Sequence, residues 1–263
     1  MVNYSVLGSG SSGNSYLFAT ENSSILIDAG FSLKELKKRS KKASLDFDKI
    51  DALLLTHLHP DHAKGSGVFA RQMDKPVYLN QKLIDQDIFE LKMLKIPPSL
   101  IKGFEPLKSF EIGEFIITSF ETSHDSPHSV GFNLSVRDFN ITLVTDTGLV
   151  DQSMLYYFEK SDILFVEANY DDKMLKEGDY PPFLKKRISG KKGHLSNDQT
   201  IEALNSCNLE KLRHIYFCHL SKNNNSVEVV QQSSENLRWG GSTTICQHGV
   251  TYQGAIGVKG VVV

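Results

Sequence analysis

The stretch Thr56-His57-Leu58-His59-Pro60-Asp61-His62 constrains this chain more than any other part of it. It closes residues 49–56, whose run Ala52-Leu53-Leu54-Leu55 reads as a buried strand. Three histidines and a carboxylate then fall within six residues. Imidazole and carboxylate donors suit zinc, manganese and iron alike. In extended backbone, side chains two residues apart share a face, so His57 and His59 point together. Pro60 starts a turn that lets Asp61 and His62 aim at a second, nearby point. One short segment can thus serve two ions. A histidine-rich surface loop is the plainer reading, and the buried strand just before it weighs against that.

Other polar residues share this address at the end of an apolar run. Asp28 follows Ile25-Leu26-Ile27, and Asp146 follows residues 141–145. Glu167 follows Ile163-Leu164-Phe165-Val166, and His219 follows Ile215-Tyr216-Phe217-Cys218. His124 comes after residues 116–122, with His128 four residues on as a competitor. Singly, each is an ordinary turn residue or cap. Their recurrence points to one edge of a layered sheet where side chains converge.

Short apolar runs bounded by Gly, Ser and Asn predict strands at residues 4–7, 15–18, 24–27, 77–80, 115–120, 130–136, 141–145, 163–166 and 214–218. Residues 243–247 and 258–263 also read as extended. Helices are predicted over 34–42, 63–73, 81–94 and 197–207. Strands mixed with helices give an α/β fold of sheets covered by helices. No linker, repeat or low-complexity tract divides the chain, so residues 1–263 read as one domain. A net charge of -2 gives no global attraction to nucleic acid, so any such binding needs local patches. The three cysteines, Cys207, Cys218 and Cys246, lack CxxC spacing and read as reduced thiols. No apolar run approaches the ~20 residues that span a bilayer. A cytoplasmic protein without membrane insertion is expected.

Gly8-Ser9-Gly10-Ser11-Ser12-Gly13 fits GxGxxG, and Asp28 lies twenty residues after Gly8. A dinucleotide site would need a helix next. Instead the chain continues with Asn14-Ser15-Tyr16-Leu17-Phe18, a polar turn and a second apolar run. That predicts a hairpin, with the loop letting backbone approach something closely.

His57, His59, Asp61 and His62 form an intact HxHxDH motif, and with Asp28, His124, Asp146 and His219 the chain resembles the metallo-β-lactamase superfamily over nearly its whole length. The resemblance implies a four-layer αββα sandwich with a dinuclear site along its edge. His57, His59 and His124 would hold one divalent ion. Asp61, His62 and His219 would hold the other, and Asp146 would bridge the two. The ions would be zinc or manganese, with iron as a third option. Asp28 would order the site by hydrogen bonding. Residues 9–15, 123–125, 193–197 and 219–225 further resemble the YycJ/WalJ/VicX group, regarded as bacterial DNA exonucleases acting 5′ to 3′.

That implies hydrolysis of a phosphodiester in nucleic acid, DNA first, by water activated between two ions. The alternative on the same scaffold is hydrolysis of small thioesters, lactones or cyclic phosphodiesters. Asp61 and His194 are the candidate catalytic residues. His194 follows Lys185-Lys186-Arg187-Ile188-Ser189-Gly190-Lys191-Lys192, five basic residues in eight, and precedes a predicted helix. Lysines and helix N-termini both attract phosphate. Lys191, Lys192, Ser196, Ser221 and Asn223 are candidate substrate contacts. Glu167, Asn169 and Asp171 are candidate supports for His194 or the ions. The basic run otherwise reads as a solvated loop. Oligomeric state is not legible.

Overall fold

The computed structural model describes residues 1–86 and 88–257. Residues 258–263, expected to be extended, lie outside the described residues. The first sheet holds β1 (Val2–Gly8), β2 (Ser15–Ala19), β3 (Ser24–Ile27), β4 (Ala52–Leu54), β5 (Val77–Asn80) and β6 (Ile101–Phe104). The second holds β7 (Phe110–Ile112), β8 (Phe115–Glu121), β9 (Val130–Val136), β10 (Phe139–Val144), β11 (Ile163–Glu167), β12 (His214–Cys218) and β13 (Ser242–Ile245). β14 (Tyr252–Ile256) returns to the first sheet beside β1.

Each sheet opens with antiparallel strands and continues with parallel ones. β1, β2 and β3 pair antiparallel, as the hairpin reading predicts, and β3 to β6 pair parallel. β7 to β10 pair antiparallel, and β10 to β13 pair parallel. Parallel neighbours need crossovers, and helices supply them. α1 (Leu33–Lys42), α2 (Pro60–Ala63), α3 (Ser66–Met73), α4 (Gln81–Asp85) and α5 (Phe89–Leu94) serve the first sheet. α6 (Gln152–Lys160), α7 (Asp172–Glu177), α8 (Pro182–Ile188), α9 (Asn197–Asn205) and α10 (Val227–Ser234) serve the second.

The strands alternate between two apolar faces. Ile25, Ile27 and Leu54 meet Ile141, Phe165 and Tyr216 between the sheets. Leu26 and Leu53 pack outward against Leu36 and Phe69 of α1 and α3. Leu164, Val166 and Phe217 pack outward against Phe158 and Ile201 of α6 and α9. Three apolar layers separate four structural ones, which is the expected αββα sandwich. Phe165 ties the sheets together: its ring meets Tyr4, Tyr16 and Phe18 edge-on and stacks on Tyr216.

The helix predicted over 81–94 is two helices, α4 and α5, each burying one leucine, Leu83 and Leu91. The basic stretch read as a loop is partly α8, which carries Lys185, Lys186 and Arg187. No helix of the described residues is long and apolar enough to cross a membrane.

Candidate metal centre

Parallel strands of both sheets end at one crevice, the usual ligand address in such topology. Asp28 follows β3, Asp146 follows β10, Glu167 ends β11 and His219 follows β12. Asp28, Asp146 and His219 all hold left-handed backbone, with φ of 61°, 59° and 56°. That conformation costs a non-glycine residue roughly 1–3 kcal/mol and is retained where surrounding structure imposes it. Here it turns the chain sharply off the strand while the side chain stays in the crevice.

His57 and His59 lie in the loop after β4 rather than on the strand, yet their rings meet 4.8 Å apart. Pro60 opens α2, whose single turn carries Asp61 and His62. His57, His59 and His124 form one group of donors within 4.8 Å of one another. Asp61, His62 and His219 form another. Asp146 belongs to two further groups, with His57 and His62 and with Glu167, His194 and His219. All seven residues expected as ligands thus come together. His128 is in none of these groups among the described residues, and His124 is in the first.

Hydrogen bonds select which nitrogen each ring presents. His62 Nδ1 lies 2.7 Å from Asp28 Oδ2, and His219 Nδ1 2.8 Å from Glu167 Oε1. His124 Nδ1 lies 3.1 Å from the Gly193 carbonyl. In the neutral ring these acceptors hold the proton on Nδ1, which leaves Nε2 as the nitrogen turned to the crevice. His57 Nδ1 meets Thr56 Oγ1 at 3.0 Å, and the Thr56 hydroxyl donates to Asp28. His59 is reversed: its Nδ1 lies 3.2 Å from His124 Nε2, and its Nε2 lies 3.4 Å from Asp125 Oδ1.

Of the buried side-chain atoms without a hydrogen-bond partner among the described residues, three belong to this centre: His57 Nε2, Asp146 Oδ2 and His219 Nε2. Such orphans are costly in a folded interior. Here they are two imidazole nitrogens and a carboxylate oxygen, and Asp146 shares a donor group with each of the two histidines. Divalent cations satisfy atoms of this kind, so the donor set fits metal.

Asp28 and Glu167 are anchors. Asp28 Oδ1 also accepts the Thr56 backbone N–H at 2.9 Å. Glu167 is fully buried, and its Oε1 accepts from His219 and His194, each at 2.8 Å. Its Oε2 accepts the backbone N–H groups of Thr147 and Leu195. Burial alone would raise this carboxyl, but the two imidazoles beside it hold it down at about 2. His194 keeps 20% of its side chain exposed, and its ring lies 5.2 Å from His124 and 5.3 Å from His219. Asn169 also serves, donating to the His219 carbonyl at 2.8 Å. Asp171 does not, because its carboxylate caps α7.

The Gly/Ser loop between β1 and β2 lies under the centre, with no helix after it. Asn14 N–H donates to the Asp61 carbonyl at 2.7 Å, and Asn14 Nδ2 lies 2.8 Å from His62 Nε2 and 3.3 Å from Asp61 Oδ2. Ser9 Oγ accepts the His219 N–H at 2.7 Å. The loop therefore holds donors from both halves of the chain. Gly30 completes the contact, because a Cβ there would collide with the Asp61 carbonyl oxygen. Gly30→Ala is expected to destabilise the protein by roughly 1–3 kcal/mol by overpacking. It should also lower bound metal, since Asp61 must move. Thermal melts and metal analysis check both.

Protons stand in for cation charge in the metal-free centre. Burial would lower His62, but Asp146 and Asp28 beside its ring push it up to about 10. His219 is also raised, against burial, by Asp146, Asp61 and Glu167. His57 is the reverse: burial and His62 push it well below the usual histidine range. At pH ~7.5 His62 is protonated, and metal needs its lone pair. Metal uptake should thus release about one proton or more per chain. Apparent affinity should rise with pH, about tenfold per unit per displaced proton. Calorimetry in buffers of different ionisation enthalpy measures the release, and uptake without it would contradict this charge balance.

The expected substrate contacts lie further out. Lys191 and Lys192 are exposed, and the Lys191 carbonyl accepts from Ser123. Asn223 is exposed and donates to Tyr180. Ser221 is half-buried, its hydroxyl accepting the Asn224 N–H. Ser196 corrects the expectation: it is 1% exposed and its hydroxyl caps α9 in a capping box. Reciprocal amide bonds between Asn197 and Asn225 tie its segment to the one after His219. Sequence reasoning missed Thr56, Ser9, Asn14 and Asp125 as residues that shape the centre.

A family model described as a Beta-lactamase superfamily domain matches residues 23–220. The chain belongs to the metallo-β-lactamase superfamily. It is 33% identical over 232 residues to exodeoxyribonuclease YycJ of Bacillus anthracis, covering 88% of this chain and 87% of that one. It is 36% identical over 233 residues to exodeoxyribonuclease WalJ of Streptococcus pneumoniae, covering 89% and 87%. Among solved structures, the metallo-β-lactamase fold protein YhfI of Bacillus subtilis superposes with a TM-score of 0.73 at 20% identity, covering 96% of this chain and 99% of that one.

Proposed function

We propose that this protein is a metal-dependent DNA exonuclease acting 5′ to 3′. Metal dependence rests on His57 Nε2, His219 Nε2 and Asp146 Oδ2, all buried in one centre and without a hydrogen-bond partner among the described residues. DNA as substrate rests on the two relatives named exodeoxyribonucleases, matched over 87% of their length. A cytoplasmic location without membrane insertion accompanies this reading.

Two divalent ions, zinc or manganese, fit the donors: His57, His59 and His124 for one, Asp61, His62 and His219 for the other. Asp146 would serve both, as its place beside His62, His124 and His219 supports. Bound ions would supply Lewis acidity and lower the pKa of a water held at the centre. Asp61 also accepts a proton from water in this scheme. His194 has Nδ1 committed to Glu167, which orients the ring and leaves Nε2 for substrate. That nitrogen holds a phosphate oxygen or delivers a proton to the leaving oxygen. Lys191 and Lys192 attract the backbone without reading sequence. Ser221 and Asn223 remain substrate contacts in this proposal.

Polarity is tested with single-stranded and duplex DNA labelled at either end. A 5′ label should leave first as a mononucleotide, while a 3′ label stays on a shortening strand. Release of the 3′ label first would reverse the direction. Cleavage of closed circular DNA would replace exonuclease with endonuclease.

A further inference from the structure

Beside the metal centre lies a groove of about 760 Å³ that His59 and Asp125 line. α5 gives it an unusual wall. Leu91 of α5 is buried in the helix-side core, whereas Phe89 and Met93 are 70% and 59% exposed. Residues four apart on a helix share a face, so these two form one apolar surface. Leu58 and Val68 extend it towards His59. Lys64, Arg71 and Lys95 line the same groove. The carboxylates there are Glu90 and Asp125, and Arg187 already holds Asp125 at 2.6 Å. The groove is therefore apolar on one wall, carries three cationic side chains against two carboxylates and reaches His59 of the metal centre. Lys64 donates to the Ser12 carbonyl and Arg71 to the Lys95 carbonyl.

This combination matches one ligand chemistry. A nucleobase presents a flat apolar face, and its phosphates need cations. Bases stack on aromatic side chains in a sequence-tolerant way. A paired base inside a duplex has both faces covered by its neighbours, so a stacking wall favours an unpaired base at a strand end. We propose that this groove binds the unpaired nucleobase next to the scissile phosphate, stacked on Phe89, with Lys64, Arg71 and Lys95 along the strand. The inference rests on the nuclease reading and adds to it a preference for single-stranded ends and a named platform.

The test is steady-state cleavage by the metal-loaded protein of an oligodeoxythymidine and of the same strand with an abasic residue at its 5′ end. Phe89→Ala is expected to raise KM about tenfold on the intact strand, and Phe89→Trp to restore it. The abasic strand should already show the raised KM with wild type, and Phe89→Ala should add nothing further. The side chain is mostly exposed, so folding is not at stake, and a melt verifies that. Equal KM for wild type and Phe89→Ala on the intact strand overturns the groove and leaves the nuclease reading standing. If the loaded wild type does not cleave the strand, the nuclease reading falls and anisotropy of the uncut strand decides the groove. Tenfold weaker binding by Phe89→Ala supports it, and equal or absent binding overturns it.

Discussion

Asp146→Asn should lower DNA cleavage about a thousandfold or more, roughly 4 kcal/mol of transition-state stabilisation. The carboxylate is buried, and its Oδ2 has no hydrogen-bond partner among the described residues. It lies 3.2 Å from His62 Nε2 and 3.7 Å from His124 Nε2, which face the crevice, and 3.6 Å from His219 Nδ1. Burial alone would raise its carboxyl, yet His219, His62 and His57 hold it well below the usual range. An amide keeps the shape and removes the charge that the two proposed cations would need between them. Metal content should fall with activity, and the metal-free form should lose stability too, because protonated His62 and His219 lose the carboxylate that balances them. A variant that keeps both metal and rate would remove Asp146 from the centre.

Glu167→Gln should damage both stability and rate. The carboxylate accepts four hydrogen bonds: two from histidine rings and two from backbone N–H groups. A glutamine has one accepting oxygen, and its NH2 would face two donors. Breaking a buried charge network of this kind costs roughly 3–5 kcal/mol. Loss of a group that orients metal-holding histidines typically costs ~10–100-fold in affinity or activity. The sign of the pH dependence comes from its position. The folded carboxyl, held at about 2, lies below its ordinary 4.5. Its stabilisation is thus fully present above 4.5 and is lost as pH falls through about 2. The variant's deficit in the metal-free protein should be level between roughly pH 5 and 8 and shrink towards pH 2. A deficit that grows on acidification would contradict this assignment. Denaturant melts across that range measure it.

The donors were legible because they sit at sequence-local addresses. The HxHxDH segment is contiguous, and Asp28, Asp146, Glu167 and His219 each follow a run of apolar residues. Most strands were legible because both faces are buried, which leaves near-continuous apolar runs; β6 and β7, each partly exposed, were not. Hidden were properties that exist only between distant segments. Ser9 reaches His219 across 210 residues, and Asn14 reaches Asp61 across 47. Nothing local in a Gly/Ser loop announces either partner. The left-handed φ at Asp28, Asp146 and His219 has no signature either, since aspartate and histidine also sit in ordinary turns. α8 escaped because none of its residues is buried, so it carries no apolar stripe to reveal its period. Ser196 misled because a serine before a helix serves a cap as readily as a phosphate.

In our proposal these residues form a two-ion centre that cleaves DNA. Chelated protein titrated with manganese or zinc, followed in parallel by metal content and nucleotide release from end-labelled DNA, tests this, with His59→Ala beside it. Cleavage that is absent after chelation, returns as about two ions bind per chain, and fails to return in His59→Ala is the predicted result. Cleavage that survives chelation, or wild type that fills with metal and leaves DNA intact, would contradict a two-ion nuclease centre.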